Sequence, residues 1–190
     1  MYDASADPYC WLGTTVLKNI AGIFDQDMLD RFEAANTMQR ADEPAPNGRL
    51  GARHYQAMHR HLFQDVYAWA GAFRTVRLAK DGSAFCYPEY ITPEMRSLFE
   101  NLRNQRYLRG MTADEFGQHA AAFLATLNAI HPFREGNGRT QVFFLAVLAD
   151  RANHPLQLDQ LHAEPFLSAM VQSFKGNARP LTEEIRRLIA

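Results

Sequence analysis

An all-α fold with a single β-hairpin is the architecture this sequence predicts. Three observations carry that prediction. Apolar residues recur at steps of three and four through most of the chain, a capping box opens the clearest of these stripes, and an Asp-Gly pair separates two short alternating runs.

Residues 28–40 carry Leu29, Phe32, Ala35 and Met38 at steps of three, which is one face of a helix. Residues 54–69 place Tyr55, Met58, Leu62 and Val66 on another such face. Thr92 and Pro93 open the next helix, with proline at its first position, and Leu98, Leu102 and Leu108 mark its apolar side. Thr112 and Glu115 form a capping box that satisfies backbone donors at the start of the following helix. That helix repeats Phe116, Ala120, Phe123, Leu127 and Ile130, a clean 3.6-residue stripe. Residues 141–150 are apolar nearly all round, which predicts a central buried helix, and residues 166–174 and 181–189 complete the set. Between the second and third helices, residues 75–80 alternate, Asp81 and Gly82 follow, and residues 83–86 alternate again. This is the pattern of a type I′ hairpin, whose two turn residues need positive φ. A lone hairpin is marginal in water, so it must lie on the helical body or await a third strand.

The 190 residues are expected to form one domain, with Pro44-Ala45-Pro46-Asn47-Gly48 as a loop between helices. A chain of this size buries enough surface to hold a core without disulfides, and Cys10 and Cys86 form no paired motif. The net charge of -1 argues against binding nucleic acid by bulk charge and against a polybasic membrane anchor. Residues 1–7 carry acids where a signal peptide would be basic, and no apolar run reaches membrane-spanning length, so a cytoplasmic setting is expected. His54, His59 and His61 read as polar positions on a half-buried helix, because no zinc motif surrounds them. Arg103, Arg106 and Arg109 read as a solvated face, and no P-loop or nucleophile-elbow motif is present.

The chemistry concentrates in His131-Pro132-Phe133-Arg134-Glu135-Gly136-Asn137-Gly138-Arg139-Thr140. Pro132 ends the preceding helix and pushes His131 out of right-handed α geometry. Gly136 and Gly138 free the backbone for tight turning, and a glycine-rich loop feeding a helix N-terminus is a ready anion site. Arg139 can grip phosphate in a bidentate, charge-assisted contact. Glu135 can hold a magnesium ion that bridges phosphate oxygens. His131 can accept a proton from a hydroxyl, and Asn137 offers an amide donor to an oxyanion. Phe133 is apolar and is expected to anchor the loop in the core. Taken singly, each residue would also serve a plain helix–loop–helix corner; together and in this order they point to a phosphate site.

The segment resembles the signature of the Fic (Fido) family, H-x-F-x-[D/E]-G-N-G-R, at every fixed position. Gly13-Thr14-Thr15-Val16-Leu17-Lys18-Asn19, Asp65-Val66-Tyr67-Ala68-Trp69-Ala70-Gly71 and Arg74-Thr75-Val76 are similar to other stretches of bacterial members. The resemblance implies a helical bundle with a hairpin flap over the active site. It implies transfer of AMP from ATP to a Ser, Thr or Tyr hydroxyl of a target protein, with release of pyrophosphate. By motif position His131 would be the general base and Glu135 the Mg2+ ligand. Phe133, Gly136, Asn137, Gly138 and Arg139 would form the nucleotide and phosphate site. Lys80, Asp81, Gly82, Ser83, Ala84 and Phe85 would dock the target as an added strand.

Two departures qualify what the resemblance implies. Val142 stands where the family often has a second arginine, one helical turn beyond Arg139. This leaves open other donors, such as UTP, CDP-choline or ATP as a phosphoryl source, and a weakly catalytic module that binds nucleotide or a partner. Arg134 or a flap residue is left as a substitute cation. No [S/T]-x-x-x-E-[G/N] inhibitory motif occurs, which implies the toxin-like class whose inhibitor is a separate small antitoxin. Targets of that class include type II topoisomerase subunits, and related effectors are delivered into a host cytoplasm. The length is expected to leave no room for an added inhibitory or secretion domain.

Overall fold

The computed structural model describes residues 7–80 and 82–190. The start of the acidic N-terminal run, Met1 to Ala6, and the turn residue Asp81 lie outside the described residues.

Seven α-helices and one two-stranded antiparallel hairpin, with short 3-10 turns between some of the helices, make up the regular structure of the described residues. They follow the order α1 (Gln26–Ala41), α2 (Ala52–Phe63), β1 (Ala79–Lys80), β2 (Ser83–Ala84), α3 (Pro88–Asn104), α4 (Ala113–Ile130), α5 (Asn137–Arg151), α6 (Ala163–Phe174) and α7 (Arg179–Leu188). The all-α fold with a hairpin therefore stands. The Thr112–Glu115 capping box forms at the head of α4, and all five residues of its stripe are buried. That stripe makes α4 the centre of the bundle, packed against α3, α5, α6 and α7. A second layer, α1 against α2 and α2 against α5, closes over the other end.

Four sequence expectations are corrected. Helix α2 ends at Phe63, well short of residue 69, because the chain turns after it. Val66 nevertheless stays buried on the expected face, where its carbonyl accepts the Ile20 N–H at 2.9 Å. Helix α3 begins at Pro88 and not at Pro93, which lies inside it. Pro88 takes the first-turn position where no N–H is needed, whereas Pro93 lies beyond the first turn and lacks the N–H that would reach the Glu89 carbonyl. Helix α5 is not buried all round: Phe144, Leu145, Leu148 and Ala149 face the core, while Val142, Phe143, Ala146 and Val147 stay half-buried against a cavity. Helix α1 buries Leu29, Glu33 and Thr37, leaving Met38 71% exposed. Its buried stripe is thus mostly polar, and the polar residues face the site described below.

The hairpin pairs Ala79 with Ala84 and Lys80 with Ser83, so a two-residue turn joins the strands and Gly82 has a φ of 79°. The ladder is shorter than the alternation suggests. The carbonyls of Val76 and Cys86 both turn to the guanidinium of Arg74, at 2.6 Å each, instead of to each other's strand. No third strand joins among the described residues. The hairpin rests on the bundle through Cys86 N–H to the carbonyl of Ala129, 3.0 Å. Cys10 and Cys86 are free thiols, and no helix of the described residues is long and apolar enough to cross a membrane.

Candidate active site

The segment 131–139 links α4 to α5 and forms one wall of a cavity of about 1100 Å3. His131 caps α4 in the left-handed conformation, with φ 49° and ψ 61°. Pro132 prevents a further helical turn, so the chain reverses there and presents the imidazole to the cavity. The ring stacks on Phe85 of the hairpin at 3.9 Å between centroids. Burial is the main cause that pushes the pKa of His131 down to about 4, and the Arg74 charge adds to it. Histidine in this position is therefore neutral at pH 7 and able to take a proton.

Gly136 is the N-cap of α5, left-handed at φ 78°. A Cβ there would run into the ring of Phe63, so both conformation and space require glycine. No side chain caps α5, and its first-turn N–H groups face the loop end with no helical acceptor. Gly138 also lines the cavity, and a Cβ on it would meet nothing within 4 Å. The backbone at Gly138 is thus bare toward the cavity, which suits close approach of a phosphate.

Beneath the loop, Phe133 is fully buried, stacked on His59 at 3.8 Å and on Tyr55 at 5.5 Å. It supports the loop from the core side and does not line the cavity, so its expected place in the nucleotide and phosphate site is corrected: a fully buried ring cannot touch the ligand. Asn137 departs from its expected role. Its Oδ1 accepts the Phe133 N–H at 3.0 Å and its Nδ2 donates to the Phe133 carbonyl at 2.9 Å. Both ends of the amide brace the loop, so Asn137 is occupied within it and not set to donate to an oxyanion. Arg134 is also engaged elsewhere, 2.9 Å from Asp7 of the N-terminal segment.

His59, Tyr67, Arg74 and Glu33 support this site without belonging to the signature. His59 accepts the Gly71 N–H at Nδ1, 2.8 Å, so its Nε2–H donates to the Glu135 carbonyl at 3.0 Å. Burial pushes its pKa down to about 4, which keeps this bridging tautomer neutral. Sequence reasoning placed His59 on a half-buried face; it is fully buried. His54 is buried as well, with Nδ1 on the Leu50 N–H and Nε2 on the Pro46 carbonyl. Tyr67 and Arg74 fell within stretches that carried the family resemblance, but nothing in their spacing announced a role. Glu33 had no signal, since it interrupts the stripe expected for α1.

Glu135 lines the cavity with its side chain 45% exposed, and its Oε1 accepts the Gly136 N–H at 2.8 Å. No group of three metal-ligating side chains occurs among the described residues. A lone carboxylate fits magnesium, which commonly takes one or two protein carboxylates and completes its shell with substrate phosphates and water. Arg139, in the first turn of α5, lies over the Phe63 ring at 4.7 Å and pairs with Glu33. Its Nη2 is 3.6 Å from Glu135. Lys80, Ser83 and Phe85 of the hairpin also line the cavity, Phe85 against the His131 ring, while Ala84 is exposed. The geometry therefore gathers a neutral base, a bare helix N-terminus, the Glu135 carboxylate and three cations, Lys80, Arg139 and Lys175, around one space.

Residues 49–149 match the Fic/DOC family. A probable protein adenylyltransferase of Sinorhizobium fredii is 49% identical over 189 residues, which is 99% of this chain and 98% of the relative. The protein adenylyltransferase VbhT of Bartonella schoenbuchensis is 37% identical over 98% of this chain, which spans 40% of that longer protein. Among solved structures, the VirB-translocated effector BepC of Bartonella tribocorum, with bound AMPPNP, aligns at a TM-score of 0.85 and 25% identity, covering 96% of each chain.

Proposed function

The chain belongs to the Fic/DOC family, and we propose that it is a protein adenylyltransferase, with residues 1–190 acting as one Fic domain. The observation that carries this reading is the meeting of a neutral His131 and the uncapped N-terminus of α5 on one cavity wall. In this reading ATP lies with its phosphates along Gly136, Gly138 and Arg139. Glu135 would hold Mg2+, which supplies charge neutralisation on the phosphates. A Ser, Thr or Tyr hydroxyl of the target attacks the α-phosphorus. His131 accepts the hydroxyl proton, through Nε2 because Nδ1 is buried. The bond from the α-phosphorus to the bridging oxygen breaks, and pyrophosphate leaves with both electrons. In this reading the target docks as an added strand along the hairpin from Lys80 to Phe85, whose two strands are exposed or half-buried.

The reading extends to the setting: a bacterial cytoplasm, or a host cell in view of the likeness to a translocated effector. A type II topoisomerase subunit as target and a separate small antitoxin belong to it as well. Its test is transfer from ATP labelled at the α-phosphate to protein in a bacterial lysate with magnesium. Label transfer with an added mass of one AMP group supports it. The rate at subsaturating ATP should stay level from pH 8 to about 5, since the His131 pKa near 4 keeps the base unprotonated there. No label, or a steep acid limb at the ordinary histidine pKa, counts against it.

A second reading rests on Val142, half-buried on the cavity wall where a cation would reach the phosphate tail. It holds that the donor is another nucleotide, such as UTP or CDP-choline. Arg134 is tied to Asp7, so Lys80 on the hairpin and Lys175 after α6 are the lysines on the cavity lining left to compensate. A charged hydrogen bond contributes about 1.5–3 kcal/mol, so Val142→Arg should tighten ATP about ten-fold or more. Calorimetry reads this directly. Unchanged ATP affinity would mean that the phosphate tail does not lie against Val142.

A further inference from the structure

Glu33 is a charged residue buried in α1, far in sequence from the signature, and its side chain is 12% exposed. One of its oxygens pairs with Nη2 of Arg139, and the other accepts the hydroxyl proton of Tyr67. Thr37, one turn further along α1, adds a weak contact to Nη1 of the same guanidinium at 3.5 Å. Tyr67 is itself buried, stacked on Trp69 at 4.4 Å, so Glu33 is held on a fixed support. A carboxylate is costly to bury and persists only when paired and hydrogen-bonded. Here the partner is the arginine that the proposed reaction uses.

From this geometry we infer that Glu33, held by Tyr67, is a positioning residue for Arg139. The inference rests on the adenylyltransferase reading of the site. The clamp does two things. It fixes a long, rotamer-rich side chain over Phe63, so less ordering is needed when phosphate arrives. It also settles a competition. Arg139 Nη2 has a second carboxylate at 3.6 Å, that of Glu135. Without the Glu33 charge the guanidinium would swing to Glu135, the candidate magnesium ligand, and both groups would be withdrawn from the substrate. A glutamate on a distant helix thus keeps a cation and a metal ligand apart.

The test is calorimetric titration of Mg-ATP into four proteins: wild type, Glu33→Gln, Arg139→Ala and the double variant. Glutamine keeps the shape and the Tyr67 hydrogen bond but removes the charge. Expected is a loss of affinity of about ten-fold or more for Glu33→Gln. In the Arg139→Ala background the same change should cost less than about two-fold, because its target is gone. Equal losses in the two backgrounds, or no loss in the first, would overturn the proposal. Tyr67→Phe is the milder second variant should glutamine disturb the fold; it should weaken binding less, and again only while Arg139 is present. A wild type that does not bind Mg-ATP rejects the adenylyltransferase reading, whereas a wild type that binds alongside an unaffected Glu33→Gln rejects this proposal alone.

Discussion

His131→Ala is expected to cut AMP transfer by about 10²–10⁴-fold, the usual contribution of a positioned general base. Binding of Mg-ATP should change little, because the proposed arrangement rests the phosphates on α5 and Arg139 and not on the imidazole. The loss should therefore fall on kcat, with KM for ATP nearly unchanged. The left-handed backbone at this position needs care, with φ at 49°. Alanine strains it as histidine does, and it also removes the stack on Phe85. Asparagine tolerates that conformation better, so His131→Asn serves as a control for folding while still lacking a base. Transfer at wild-type rates by either variant would place the proton acceptor elsewhere in the cavity.

Local patterns made most of the bundle legible before the structure. The stripe on α4 and its capping box are short-range signals, and nothing longer in range overrode them. Helix α1 shows the opposite case. Counting apolar residues at steps of three selected Met38 and Ala35, yet both are exposed and Glu33 is buried. The reason is tertiary: a cation from α5, more than a hundred residues later in the chain, supplies the charge that lets a carboxylate go inside. No period in the sequence can record that pairing. The end of α2 was misread for a similar reason, since Val66 keeps its place on the apolar face after the helix has stopped.

The site divides along the same line. The order of residues in 131–139 made the shape of the loop legible because glycine, proline and histidine act on the backbone next to them. It did not reveal which side chains face the cavity. Asn137 and Phe133 turn inward and hold the loop from below, while Gly138 and Glu135 remain toward the ligand side. His59 completes the underside by tying the Glu135 carbonyl to Gly71, so the loop hangs from α2 as well as from α5. A loop with this many fixed points needs little reorganisation when charge develops on the substrate, which is where preorganised donors contribute most.

Arg74→Ala is expected to be the most damaging change to stability. The guanidinium is almost fully buried, 2% exposed, and donates to four carbonyls. Two of these, Ile130 and His131, belong to the end of α4, where the helix dipole favours a cation; the other two, Val76 and Cys86, belong to the two arms of the hairpin. Its own N–H donates to the Pro132 carbonyl at 2.9 Å, so main chain and side chain clamp the same corner. Removing the side chain leaves buried acceptors without donors and lets the hairpin leave the bundle. Breaking a buried charged group of this kind costs about 3–5 kcal/mol, which lowers Tm by roughly 10 °C in a domain of this size. Arg74→Lys should recover part of this, because an ammonium carries three donors in place of five. A calorimetric melt reads both. The activity should report the same contact independently, since the Arg74 charge helps to hold the His131 pKa down to about 4. With that charge removed the pKa rises, so the acid limb of the transfer rate should move up in pH for Arg74→Ala and not for Arg74→Lys. A melt within about 2 °C of wild type, far less than the loss of a buried network predicts, would show that water or a neighbouring donor replaces the guanidinium at this corner.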